Sequence, residues 1–458
     1  MSLARFALAD LRAAWRQWVG AFVVLVTTAA ALTCAVAIVV TADTLPARGP
    51  IPMNSSLGSL AGMNAGIVAV VGVVMVRNVV DQIVAQRRRA MAAWMLVGLL
   101  PRQVAIVVAS QGVVVAMAAA VASTPLGVGA AYLALGALAG TVGAPAPPLV
   151  ARPSALILPV LLLLGVTLLA LRRPCRRAIR VDPALALRDD VDVEARRLSV
   201  WRVIIALLAA AGSVVGVAAA ASAAQPDAAG GAVLGVLAAA ALLLSALGPV
   251  LAVGVHRAWT ALLPDRLVGW WLARSALTHT PQRIASVSVP IALVGLLPGG
   301  VQMLTDSMRD SQIASSGRAT ASGASLRDLL MVALLPSGVA LVGASMALFM
   351  GGQRRDGELA ATALVGATPG AQLRQVAAEA LSVAATGALL GMAALAIVGV
   401  AIRQLLVPVF PVAVLTFPST GFGLSILLAT AICLVASLAP TLPMLMRPPH
   451  RAQLALGD

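Results

Sequence analysis

The run Trp18-Val19-Gly20-Ala21-Phe22-Val23-Val24-Leu25-Val26-Thr27-Thr28-Ala29-Ala30-Ala31-Leu32-Thr33-Cys34-Ala35-Val36-Ala37-Ile38-Val39-Val40 contains no charged residue. A helix crosses the hydrocarbon core with roughly 20 apolar residues, so this run is long enough to span a bilayer. Apolar runs of similar length recur at Ala155–Leu171 and, with Arg202 at its start, at Trp201–Ala223. The whole chain repeats the bias: 60% of its 458 residues are hydrophobic and only 11% charged, too few for the surface of a soluble domain. Backbone groups inside lipid must be satisfied within the protein, which leaves helices or a closed barrel. Uninterrupted apolar runs lack the in–out alternation of barrel strands, so the fold class is all-α.

Read along the chain, the runs predict ten spans, at 18–41, 62–83, 104–138, 154–171, 201–223, 230–254, 284–304, 328–351, 375–402 and 421–445. The third and ninth are long and interrupted by glycine, so each is expected to tilt, kink or extend past the membrane. The first run is too long for a cleavable signal and lacks a small-residue cleavage site, so it reads as a retained span.

All 32 basic residues are arginine. With ten spans and the N-terminus inside, only Arg48, Arg152, Arg309, Arg318, Arg327 and Arg403 fall on the outer side. The segment 172–202 is the most basic of the inner ones. This is the positive-inside pattern of a plasma-membrane protein with cytoplasmic termini. It accounts for the net charge of +15 without nucleic acid, the inner leaflet being anionic. Cys34, Cys175 and Cys433 fall at different depths and sides, which argues against a shared disulfide or metal cluster. His256, His279 and His450 read as interfacial residues on the cytoplasmic side.

An internal repeat organises the spans. After the second span comes Gln86-Arg87-Arg88-Arg89-Ala90-Met91-Ala92-Ala93-Trp94-Met95-Leu96-Val97-Gly98-Leu99-Leu100-Pro101. A shift of 268 residues (Gly98 to Gly366), with a one-residue slip at the arginines, lays it on Gln353-Arg354-Arg355-Asp356-Gly357-Glu358-Leu359-Ala360-Ala361-Thr362-Ala363-Leu364-Val365-Gly366-Ala367-Thr368-Pro369, after the eighth span. Gln, Arg-Arg, Ala-Ala, Leu-Val-Gly and Pro coincide. Leu3-Ala4-Arg5 and Ala7-Leu8 likewise pair with Leu272-Ala273-Arg274 and Ala276-Leu277, and Leu185-Ala186-Leu187 with Leu454-Ala455-Leu456. The expected organisation is a first four-span repeat (1–198), a two-span insert (199–256) and a second four-span repeat (257–458). Both repeats run from inside to inside, so they are parallel, a symmetry that recurs among transporters. In each repeat an Arg pair at headgroup depth, a short apolar stretch and a Gly-x-x-Pro stop make a compact cytoplasmic protrusion.

The Arg-Arg, Glu, small-apolar, Gly-Ala-Thr-Pro pattern of Arg354 to Pro369 resembles the signature of FtsX/MacB-type permeases of ABC transporters. So does Gln375-Val376-Ala377-Ala378-Glu379-Ala380-Leu381, opening the ninth span. The first half matches less well, with Ala90 in place of the acidic residue and Gln111 standing where Glu379 does. Asp182-Pro183-Ala184-Leu185-Ala186-Leu187-Arg188 is similar to the family's post-span tails, and the 4+2+4 plan resembles the ten-span peptide-antibiotic resistance permeases. The resemblance implies a transmembrane subunit driven by a separate cytoplasmic ABC ATPase, two copies per chain. It implies coupling helices that dock on that ATPase through Arg87, Arg88, Gly98, Pro101, Arg354, Arg355, Glu358, Gly366 and Pro369. ATP and magnesium would be bound by the partner. Independently, the chain contains no lysine, so it holds no Gly-x-x-x-x-Gly-Lys-Ser/Thr phosphate loop.

The outer loops 42–61 and 305–327 are too short for a packed domain, which favours a substrate taken from the membrane, such as an amphipathic peptide, a lipid or a hydrophobic drug. Gln111 and Glu379 form a candidate intramembrane polar site, because ionisable groups at that depth are costly and often functional. Glu379 reads either as a hydrogen-bonding or gating group or as an interfacial carboxylate near Arg374. Two alternatives stand beside the exporter: an ATP-driven regulator of an envelope enzyme or sensor kinase, and a secondary carrier. The duplicated loops and the lack of an Asp/Glu/His relay argue against the carrier.

Overall fold

The computed structural model describes residues 3–44, 53–142, 148–149, 152–179, 226–264, 268–316, 326–352, 362–363 and 366–442, and isolated positions between 204 and 218. These residues form helices with no strand among them: α1 (Leu3–Ala13), α2 (Trp15–Ala42), α3 (Met53–Gln86), α4 (Arg88–Leu96), α5 (Pro101–Val142) and α6 (Pro153–Ile179), then α7 (Pro226–Ala261), α8 (Val268–His279), α9 (Pro281–Ser316), α10 (Leu326–Gly352), α11 (Pro369–Leu406) and α12 (Ser419–Leu438). Nine of the described helices are long and apolar enough to cross a membrane. They are those of the expected spans other than the fifth, 201–223, which lies largely outside the described residues.

Several helices outrun the apolar windows that predict them. α5 is continuous over 42 residues, about 63 Å at the usual rise, so it extends beyond the hydrocarbon core. Its glycines and the internal Pro125 do not end it. In apolar surroundings a broken helix would leave amides and carbonyls without partners, and this outweighs the weak helix propensity of Gly and Pro. α9 likewise continues to Ser316, past the expected end at 304.

Two compact units divide the chain. Unit 1 comprises Met1–Glu194 with Leu334–Gly343, and unit 2 the remainder. In unit 1, α2 packs against α3, α5 and α6; α1 lies on α2 and α5, and α4 on α3 and α5. In unit 2, α9 packs against α7, α11 and α12, and α8 lies chiefly on α11. Of the most apolar window of α9, 94% is buried, against 67% for α2. Lipid offers no hydrophobic drive for helix association, so close approach and polar cross-links contribute more. A Cβ on Gly387 of α11 would stand 2.8 Å from the carbonyl oxygen of Ser288 on α9, and the Ser288 hydroxyl donates to the Val383 carbonyl at 3.1 Å.

Each unit contains a short helix that breaks just before a long one, α1 before α2 and α8 before α9. In unit 1 the break is at Ala14, whose amide donates to Asp10 and whose carbonyl accepts from Gln17. In unit 2 it is at Thr280, bonded in the same way to Leu277 and Arg283. The far end of unit 2 is pinned by side chains of α9. Ser307 and Ser311 accept from the amides of Thr416 and Val414, and the Thr416 hydroxyl donates to Asp310 at 2.6 Å. Gln302 accepts from the Gly421 amide, capping α12 where Pro418 has no side-chain acceptor to offer.

Candidate functional site

The repeated Leu-Val-Gly-x-x-Pro sequence makes the same turn in both units. In unit 1, Gly98 closes α4 with φ +106, its amide donating to Met95 and the Leu99 amide to Trp94, 3.1 Å each. In unit 2, Gly366 has φ +94, its amide donating to Ala363 and the Ala367 amide to Thr362, 3.0 Å each. Both are Schellman stops, in which a left-handed residue lets two amides return to carbonyls of the last turn. Only glycine enters that backbone region without steric cost.

Pro101 and Pro369 then open α5 and α11 at the first helical position, where a missing N–H costs nothing. The two starts use complementary halves of one capping arrangement. In unit 1 the Gln103 side chain reaches back to the Leu100 amide at 2.9 Å; in unit 2 the Thr368 hydroxyl accepts from the Ala371 amide at 3.3 Å.

The unit 1 protrusion has an exposed tip and an anchored base. Leu96, Val97 and Leu100 are 64, 85 and 63% exposed, and Gly98, Pro101 and Arg102 are exposed beside them. Arg88 is half-buried. Arg87 is different: only 7% exposed, it turns inward. Its Nη2 lies 2.6 Å from both carboxylate oxygens of Asp10 on α1, and its Nη1 donates to Gln111 Oε1 on α5 at 3.4 Å. Gln111 Nε2 completes the ring, donating to Asp10 Oδ2 at 2.7 Å and to the Ala7 carbonyl at 3.0 Å. The Arg87 guanidinium also stands 5.1 Å from the Trp94 ring centroid, and Phe6 of α1 meets Trp94 edge-on at 5.4 Å. Arg87 therefore joins α1, α4 and α5, and the side chain that the sequence offers as a docking contact is spent inside unit 1.

In unit 2, Glu379 occupies the place of Gln111 in the 268-residue register and is 2% exposed. Its ion-pair partner is Arg283 at the start of α9, 3.3 Å away, and Gln375 Nε2 donates to it at 3.2 Å. The expected neighbour, Arg374, points to the surface instead, its Nε donating to the Gly370 carbonyl one helical turn back. Rotation around α11 explains the difference: positions 374 and 379 project from opposite sides of the helix. Arg354, Arg355 and Glu358 lie outside the described residues. Gly366 and Pro369 are exposed, and Gln372 Nε2 ties α11 to Thr362 at 3.1 Å.

His256, expected at the interface, is fully buried on α7. Its Nδ1 lies 3.0 Å from the Thr386 hydroxyl of α11, which also accepts from the Trp259 indole N–H at 3.0 Å. Trp259 stacks in turn near Trp270 of α8 at 5.8 Å. This cluster and the Asp10–Arg87–Gln111 ring were not found from sequence, because the contacts that close them join residues 24 to 130 positions apart on different helices. The one available signal in unit 1 is Asp10, the only acidic residue in α1. No group of three or more His, Cys, Asp or Glu side chains arranged to hold a metal occurs among the described residues.

Glu379→Gln is expected to keep the hydrogen bond with Gln375 and lose the charge partner of Arg283. A hydrogen bond to a charged group contributes about 1.5–3 kcal/mol. Because the Arg283 side chain is 17% exposed and can recover water, the lower part of that range applies. Thermal unfolding of the detergent-solubilised chain should show Glu379→Leu destabilised more than Glu379→Gln. Equal, negligible shifts would mean that the pair does not hold α9 to α11.

The described residues thus combine many helices long and apolar enough to cross a membrane with a Schellman turn just before α5 and another just before α11. Residues 62–183 match the family model described as FtsX-like permease C-terminal, a segment that runs from α3 through the α4 protrusion to the end of α6. The many apolar helices are consistent with an FtsX/MacB-type permease, a family that provides membrane components of ABC-type transporters. No curated protein matches the chain.

Proposed function

We propose that this chain is the permease subunit of an ABC exporter in the bacterial cytoplasmic membrane, with both termini cytoplasmic. It moves an amphipathic or hydrophobic substrate (a peptide antibiotic, a lipid or a drug) using ATP hydrolysed with magnesium on a separate ATPase. The observation that carries this reading is the pair of Schellman turns at Gly98 and Gly366, 268 residues apart and identical in hydrogen bonding. Two matching protrusions suit the two equivalent grooves of an ATPase dimer. In unit 1 the docking surface is the apolar tip Leu96–Leu100 with Arg88 and Arg102, since an exposed apolar patch rimmed by charge is the usual form of a protein interface. Arg87 holds that tip in place from behind. In unit 2 the corresponding role falls to Gly366, Pro369 and the preceding Arg354, Arg355 and Glu358.

Substrate uptake from the membrane is supported by the short connections between α2 and α3 and between α9 and α10, at 43–52 and 317–325. An ATP-driven regulator would need an outer surface through which to act on an envelope enzyme, and connections of that length supply little of one.

The purified chain alone should show no ATP turnover, and reconstitution with its cognate ABC ATPase in proteoliposomes should stimulate the hydrolysis of that ATPase. Turnover by the isolated chain, or no association with any ABC ATPase encoded beside it, would overturn the proposal.

A further inference from the structure

α1 is held to unit 1 by one side only: Ala7 is buried, Asp10 pairs with Arg87, and Phe6 meets Trp94. The opposite side of α1 carries Arg5, Leu8 and Arg12 at helical spacing, and the start of α2 adds Trp15, Arg16 and Val19, every one exposed. Leu8, Trp15 and Val19 are 43, 58 and 40% exposed. Among the described residues nothing forms an ion pair or side-chain hydrogen bond with Arg5, Arg12 or Arg16; the one carboxylate of α1 is taken by Arg87.

Three unpaired guanidinium groups, interleaved with large apolar side chains at the entrance to the first span, fit one environment. The apolar members sit at acyl-chain depth, tryptophan sits at the interface, and arginine reaches the headgroups. A protein partner would more naturally cover a continuous apolar patch, whereas here each apolar side chain alternates with a cation. We propose that this stripe of α1 is a binding site for anionic phospholipid headgroups, with Arg5, Arg12 and Arg16 contacting phosphate oxygens and Leu8 and Trp15 fixing the depth. Because the far side of α1 is joined through Asp10 and Arg87 to α4, occupancy of the stripe also steadies the protrusion at Leu96–Leu100.

The test uses the full-length chain in neutral detergent, with lipid binding read by native mass spectrometry against added phosphatidylglycerol or phosphatidylcholine. Wild type should retain phosphatidylglycerol preferentially. Each arginine near an anionic surface contributes about fivefold in affinity, so Arg5→Gln/Arg12→Gln should lose roughly 30-fold for phosphatidylglycerol and leave phosphatidylcholine unchanged. The charge-matched control Arg172→Gln/Arg176→Gln, at exposed arginines in the C-terminal part of α6, should keep wild-type binding. Equal loss in the control would overturn the site by showing that net charge alone attracts the lipid. Displacement of the lipid by excess inorganic phosphate would overturn the lipid assignment, and unchanged binding in Arg5→Gln/Arg12→Gln would overturn both.

Discussion

Asp10→Ala should destabilise the detergent-solubilised chain by about 3 kcal/mol, the low end of what removing one partner of a buried ion pair costs. The side chains of Arg87 and Asp10 are 8 and 16% exposed, so Arg87 could not regain full hydration after the loss. It would keep the Trp94 ring and the weaker contact to Gln111, but no anion. Arg87→Leu should cost a similar amount, leaving Asp10 with the Gln111 amide alone. The double variant Asp10→Ala/Arg87→Leu should recover much of the loss, because replacing both charges removes the desolvation penalty as well as the attraction. Chemical denaturation of the four species gives the interaction energy directly. Additive losses would show that the two residues act separately and that α1 is not held to the α4 protrusion through them. In the assembled transporter, Asp10→Ala should reduce stimulated ATPase more than the stability loss alone explains, since the tip depends on α1 for its position.

Gly98→Val and Gly366→Val should each uncouple the complex while leaving the bilayer-crossing helices folded. Among the described residues neither glycine has a neighbouring atom within 4 Å of where a Cβ would go, so the cost that follows from them is torsional. At φ +106 and +94 a β-branched residue must move the backbone out of the left-handed region, at a cost of about 1–2 kcal/mol. If the turn must be restored on docking, that energy corresponds to roughly tenfold weaker ATPase binding. Asparagine tolerates positive φ better, so Gly98→Asn should lose less than Gly98→Val. Co-purification and ATPase stimulation of the three variants check this. Wild-type behaviour of both valine variants would remove the turns from the coupling surface.

The membrane-crossing core was legible because charge-free runs of spanning length admit few alternatives to a helix. Helix ends were legible only to within a few turns, since α5 and α9 continue through polar residues that hydropathy excludes. The turns were legible from Gly98, Pro101, Gly366 and Pro369 alone: glycine and proline report backbone conformation directly. What could not be read was which side of a helix a polar residue occupies in three dimensions. Arg87 sits in a basic cluster, where charge sets topology and all three arginines look alike. The fold sends this one inward to Asp10 and leaves Arg89 at the surface. Glu379 and Gln111 were found because they share a register position, but their partners, Arg283 in one unit and Arg87 with Asp10 in the other, come from different helices. The repeat preserves a polar position and not the pairing around it.

The measurement that bears most directly on the duplicated-permease reading is the subunit ratio of the intact complex. This chain, co-expressed with its ABC ATPase and examined by native mass spectrometry, should appear as one copy with two ATPases, each protrusion occupying one groove. Removing the unit 1 tip by Leu96→Asp/Val97→Asp should leave a one-to-one species, because the turn at Gly366 remains. A complex of two chains with two ATPases would mean that each chain supplies one working protrusion, and the assignment of paired docking sites to Gly98 and Gly366 would be wrong.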